Sequence, residues 1–178
     1  CGFLHVESGR RLTLNEGLGF PMASTYKIAI AAKLLSLVDQ GKTRLDEMVS
    51  VDRDDLSPGG GLITAHIHHP GLSLSVHNVI TLAMTVSDNT ATDKMLELAG
   101  GADAVNEFLQ TKGVRGMHID RPTRLLLSDA YGVTGNLPSG CWSHGFLHEF
   151  QAIIDKGPDD EPGDRFLTDP RDTATPEA

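Results

Sequence analysis

Three constellations in this 178-residue chain combine residue types and spacings that could do chemistry. Ser24 and Lys27 are three positions apart in Ala23-Ser24-Thr25-Tyr26-Lys27, so on a helix their side chains share a face. Burial and the positive end of a helix dipole both disfavour an ammonium, leaving Lys27 able to take the hydroxyl proton and make Ser24 a nucleophile. Alone the match is weak, since an N-cap serine with an ordinary lysine has the same spelling. Ser87-Asp88-Asn89, 60 residues after Lys27, adds a second polar unit: a hydroxyl that can relay a proton to a leaving group and an amide that can hold a substrate and the lysine. The tripeptide also reads as a capping turn that satisfies its own backbone. The third constellation is metal-like, with Cys141, His144 and His148-Glu149 at helical spacing and His66, His68 and His69 in a loop. No fourth ligand is identifiable, His-Glu-x-x-His is absent, and the two cysteines are 140 positions apart, so the expectation is a partly exposed helix face and no metal.

These groups need elements to hold them. Residues 2–6 and 11–14 alternate as a hairpin turning at Glu7–Arg10. From Ser24, Ile28, Ala31, Leu34, Leu35 and Val38 recur at helical spacing until Gly41, a pattern apolar round most of its circumference that predicts a central, buried helix. An acidic stretch, Asp46–Asp55, leads to the glycine-rich loop Ser57–Gly61. Helices are predicted from about Ser75, from about Thr90 to Gly100, from Asp103 to Thr111, over Leu125–Tyr131 and over Ser143–Ile154. Ser87–Asn89 falls in the break between the second and third helices.

Composition agrees with one globular unit: 39% apolar residues, 22% charged, a net charge of −9 and a mean hydropathy of −0.15. Residues 155–178 hold eight acids against Lys156, Arg165 and Arg171, and the acidity argues against a nucleic-acid partner. The longest apolar stretches fall short of the ~20 residues of a bilayer span, so no membrane anchor is expected. Residues 1–6 enter a strand directly, and Thr173–Ala178 reads as a helix N-terminus with Thr175 as cap and Pro176 in the first turn. The expectation is a piece of a larger domain.

Phe20-Pro21-Met22-Ala23-Ser24-Thr25-Tyr26-Lys27, Ser87-Asp88-Asn89-Thr90-Ala91-Thr92 and Asp169-Pro170-Arg171-Asp172-Thr173-Ala174-Thr175-Pro176 together resemble successive blocks of the class A serine β-lactamases. The resemblance implies an α+β, β-lactamase-like fold, with residues 1–20 as the N-terminal part of the sheet region and 21–178 as a mainly helical domain. It makes Ser24 the acylated nucleophile and donor of one oxyanion-hole N–H, Lys27 the proton acceptor, Ser87 the relay toward the lactam nitrogen and Asn89 a substrate-binding amide. It further implies a monomer when full length, located in the periplasm or secreted, acting on penicillin- and cephalosporin-type β-lactams in antibiotic resistance with no cofactor.

Two departures qualify this. In the family an arginine opens the active-site loop and a glutamate two positions later activates the deacylating water; here those positions are Arg121 and Thr123. Asp172 matches the aspartate that closes the loop on the arginine, but about 121–172 is an expanded loop. Glu149 or Glu161 from within it are candidate substitute bases, against a reading of both as solvated surface acids. The family's Lys-Thr-Gly or Lys-Ser-Gly does not occur, since Gly41-Lys42-Thr43 has the wrong order. The alternative is therefore a non-hydrolytic penicillin-binding or inactive module.

Overall fold

The computed structural model describes residues 1–67, 71–132, 150, 152–153, 155–156 and 167–175. In chain order the elements are strands β1 (Gly2–His5), β2 (Arg10–Thr13) and β3 (Phe20–Pro21), a 3₁₀ turn (Ala23–Tyr26), helix α1 (Lys27–Asp39), strand β4 (Met48–Val51), helix α2 (Leu62–His66), strand β5 (Leu72–Ser75), helices α3 (Val76–Thr85), α4 (Asn89–Leu98), α5 (Gly101–Thr111) and α6 (Thr123–Ala130), and strand β6 (Thr173–Ala174). The class is α+β, as the sequence implies. The predicted hairpin forms, β1 pairing antiparallel with β2 from Gly2↔Thr13 to His5↔Arg10.

The helices differ from expectation in an informative way. Helical structure does begin near Ser24, but as a 3₁₀ turn, with α1 starting only at Lys27. α1 buries Ala29, Ile30, Ala31 and Leu34, whereas Ile28 is 62% and Leu35 42% exposed, so the expected all-round burial is corrected to one face. The central helix is instead α4. It packs against α1, α3, α5 and α6, and every residue from Asn89 to Leu96 is buried. Its polar side chains point inward because each finds a hydrogen-bond partner there. Around it, Ile30 and Leu34 of α1, Val76 and Val79 of α3, Met95 of α4 and Val105 of α5 form the apolar core with Ile63 and Ile119.

The chain breaks are capped where the sequence suggests. Ser75 Oγ accepts from Asn78 N at 3.2 Å to start α3, and Asp88 Oδ1 accepts from Ala91 N at 2.8 Å to start α4. The antiparallel pair β4–β5, running from Met48↔Ser75 to Val51↔Leu72, escapes the pattern reading. Its alternation is only four residues long, with Val49 and Val51 turned inward, and acids on both sides disguise it.

A seam near the C-terminal end closes the frame. β6 pairs with β3 (Phe20↔Ala174, Pro21↔Thr173), Met22 N donates to Asp172 O at 3.1 Å, and His118 N donates to Thr173 O at 3.0 Å. Residues 172–175 thus lie between the strand entering the Ser24 turn and the segment preceding α6. Of the helix N-terminus expected over 173–178, Thr173 and Ala174 are strand, while 176–178 lie outside the described residues, as does most of the helix expected at 143–154.

Candidate active site

Ser24 is delivered by strand β3 and a sharp turn at Ala23, whose φ of +45° lies in a region that side-chain-bearing residues rarely occupy. Lys27 follows one turn later. It is buried, and its Nζ donates to Ser87 O at 2.7 Å, to Ser87 Oγ at 2.9 Å and to Asn89 Oδ1 at 3.1 Å. Ser24 Oγ and Ser87 Oγ are hydrogen-bonded at 3.0 Å, so a continuous path joins the serine to the lysine through the second serine. The four side chains named from the sequence are therefore one hydrogen-bonded cluster.

Ser87 can offer both its carbonyl and its hydroxyl to Lys27 because its backbone is left-handed, with φ +57°. Among the described residues, Ala23, Ser87 and Asp172 are three of the four non-glycine residues with positive φ, the other being Asn15; strained backbone thus gathers at this cluster and its support. Asp88 holds the tripeptide in place, since its other carboxylate oxygen accepts from Ile63 N at 2.9 Å. Asn89 is fixed through Nδ2, which donates to Pro58 O at 2.9 Å. Gly61 must be glycine: its φ is +131°, and a Cβ there would lie 2.6 Å from Asp88 Cγ.

Burial pushes the Lys27 ammonium down from 10.5 to about 8, while the negative charges of Asp88 and Asp93 oppose the shift. A substantial minority of the amine is then neutral near pH 7, the state that can accept a proton. The cluster opens on a cleft of about 410 Å³, lined also by Tyr26, Gly59–Gly61, Thr123, Leu126 and Tyr131. The volume suits a small molecule with an apolar body and few polar groups.

Arg121 Nε lies 2.7 Å from Asp172 Oδ2, both residues buried. The arginine also reaches Asp129 and Asp169, the latter at 3.1 Å. Asp172 Oδ1 accepts from Asp120 N at 2.8 Å, tying the seam to the start of the 121–172 segment. Asp129 and Asp169 are partners that spacing alone does not reveal.

Thr123 lies inside the cleft wall. Its hydroxyl bonds the Tyr26 hydroxyl, and its N–H donates to Asp93 Oδ1 at 2.5 Å. Tyr26 and Asp93 are thus site residues that the sequence reading misses: Tyr26 sits inside the first motif, and Asp93 looks like a helix-surface acid. Glu149 and Glu161 lie outside the described residues, as do Cys141, His144, His148, His68 and His69; among the described residues no group of three or more His, Cys, Asp or Glu is placed to hold a metal.

The model of the β-lactamase enzyme family (Beta-lactamase2) matches residues 1–175. β-Lactamase L2 of Stenotrophomonas maltophilia is 33% identical over 129 residues, 72% of this chain and 42% of that protein. β-Lactamase PSE-4 of Pseudomonas aeruginosa is 30% identical over 118 residues, 66% of this chain and 40% of the relative. Among solved structures, an ancestral class A β-lactamase (GNCA) superposes with a TM-score of 0.66 at 29% identity, covering 97% of this chain and 52% of its own. A mutant of PBP-A, solved as an acyl-enzyme with penicillin G, gives 0.64 at 27% identity over 92% of this chain and 58% of its own. The chain spans about half the length of the proteins it matches.

Proposed function

The chain belongs to the β-lactamase enzyme family, as a class A-like member, and from that premise we propose that its cleft opens the β-lactam ring of penicillin- and cephalosporin-type compounds through an acyl-Ser24 ester. Ser24 Oγ attacks the lactam carbonyl while its proton travels through Ser87 to neutral Lys27. Lys27 then returns that proton, again through Ser87, to the ring nitrogen as the C–N bond breaks. The Ser24 N–H, at the start of the 3₁₀ turn, is one donor to the developing oxyanion. Asn89 positions the substrate amide, and Arg121 with Asp172 keeps the 121–172 segment in register with the β3–β6 seam. The setting is antibiotic resistance, in the periplasm or outside the cell.

The observation that carries this reading is the path Ser24 Oγ to Ser87 Oγ to Lys27 Nζ, at 3.0 and 2.9 Å, ending at a lysine lowered to about 8. A general base near its operating pH supplies roughly 10²–10⁴-fold. In the full-length gene product, a fluorescent penicillin is expected to label the protein covalently, and Ser24→Ala to abolish the label. Labelling that persists in Ser24→Ala overturns the assignment.

A second reading, in which the acyl-enzyme persists and the protein binds penicillin instead of destroying it, rests on Thr123 standing where the family's glutamate is expected. Chromogenic cephalosporin separates the two. Steady turnover favours the hydrolase; one equivalent consumed and then nothing favours the binder.

A further inference from the structure

We propose that Asp93 is a positioning residue for the Ser24 cleft: from α4 it caps the start of α6 and ties that helix to the Ser57–Gly61 loop, so that two segments of the cleft lining keep one spacing. Its test rests on the acyl-serine reading above. α6 presents Thr123, Leu126, Leu127 and Ala130 to the cleft, at the i, i+3, i+4 and i+7 positions of one helical face, and Gly59–Gly61 line it from the loop. α6 has no cap of its own. Pro122 stands at its N-cap and makes no side-chain hydrogen bond, which leaves the first N–H groups of the helix to find acceptors elsewhere.

Asp93 supplies the missing cap. The carboxylate of this buried residue accepts from Thr123 N at 2.5 Å and from Arg124 N at 3.1 Å, the first two N–H groups of α6, where a negative charge also complements the helix dipole. The oxygen that takes Arg124 N takes Ser57 Oγ too, at 2.6 Å. Ser57 is fully buried and held on its other sides by α4 and α2: Thr90 Oγ1 accepts from its N–H at 2.9 Å, and the Thr64 hydroxyl donates to its carbonyl at 2.8 Å. The next carbonyl, that of Pro58, accepts from Asn89 Nδ2 at 2.9 Å, so the anchored loop in turn holds the side chain assigned to the substrate amide.

All three of these partners are donors, and that fixes the residue type. Burial raises the Asp93 carboxyl, while hydrogen bonds from Ser57, Arg124 and Thr123 pull it back. An asparagine in its place offers one accepting oxygen and an NH₂ group. Whichever way that amide is turned, one backbone N–H of α6 faces the NH₂ and loses its acceptor. The Ser24–Ser87–Lys27 path uses none of these bonds, so loosening the tie is expected to weaken the hold on substrate while the bond-making groups stay in place.

The test follows the rate of labelling of the full-length gene product against the concentration of a fluorescent penicillin, for the native protein, Asp93→Asn and Ser57→Ala, with competent sites counted from the end point. It is run at pH 9, where Lys27, at about 8, is mostly neutral and the lost charge of Asp93 has little leverage on it. Each variant is expected to need about tenfold more penicillin for half-maximal rate, the loss of one hydrogen bond to a charged group, while the rate at saturation stays within about twofold of native. Native half-saturation in either folded variant, or a saturated rate that falls as far as the half-saturation rises, overturns the positioning role and leaves the acyl-serine reading standing. No labelling of the native protein overturns that reading and the positioning role with it. If Asp93→Asn does not fold, Ser57→Ala decides the matter.

Discussion

The lysine that ends the Ser24–Ser87 path sets how fast the site should acylate at each pH. An unperturbed lysine at 10.5 is neutral in ~0.03% of molecules at pH 7, whereas one at about 8 is neutral in ~10%, a gain of ~300-fold in the reactive form. Acylation measured by single-turnover labelling with fluorescent penicillin should therefore rise about tenfold from pH 7 to pH 9 and then level off. Two substitutions sharpen this. Lys27→Arg keeps a cation that cannot deprotonate in this range, and should slow acylation by ~10² or more at all pH values. Asp88→Asn removes a negative charge that holds the lysine up, so its inflection should move to lower pH. A rate that is flat between pH 7 and 9, an inflection near 10.5, or native-like acylation by Lys27→Arg would refute Lys27 as the proton acceptor.

The same shift should appear in stability. Because the folded lysine is lowered below its unfolded value, the unfolded chain binds more protons between about pH 8 and 10.5, and chemical denaturation should show stability rising across that window; Lys27→Met should lack the rise. Arg121→Ala leaves Asp172, 3% exposed, without the salt-bridge partner it is buried against, and should cost about 3–5 kcal/mol by thermal or urea unfolding, with Asp172→Asn milder. Gly61→Ala combines a forbidden φ with a collision against Asp88, so it should lose roughly 1–3 kcal/mol and slow acylation as the Ser87–Asn89 turn shifts.

What the sequence reveals of the site follows from locality. Ser24 and Lys27 are three positions apart, so spacing puts them on a common face, and Ser87 and Asn89 belong to one tripeptide; that the two pairs meet is a tertiary fact, at 2.9–3.1 Å, which spacing does not contain. Arg121 and Asp172 are 51 positions apart and pair in the sequence only through the resemblance, whereas Asp129 and Asp169, reached by the same guanidinium, carry no comparable marker. The hairpin and the longer helices are legible because their periodicity outlasts noise. β4 and β5 are not, being four residues each with charged flanks. Asp93 is the instructive miss. In Asn89-Thr90-Ala91-Thr92-Asp93-Lys94 polarity argues for solvent, yet Ser57, Thr64, Thr123 and Arg124 arrive from distant positions to satisfy these groups.

That polar interior makes α4 a poor place for gradual change. In an oily helix a substitution of similar volume is absorbed by repacking, but here Asn89, Thr90, Asp93 and Lys94 each answer a particular donor or acceptor elsewhere in the chain, and losing one strands its partner away from water. Sequence space around this helix is therefore reached by paired changes far more readily than by single ones. Laboratory evolution of the protein should accumulate its early, tolerated substitutions on the hairpin and on the bare side of α1, leaving the middle of the molecule as inherited.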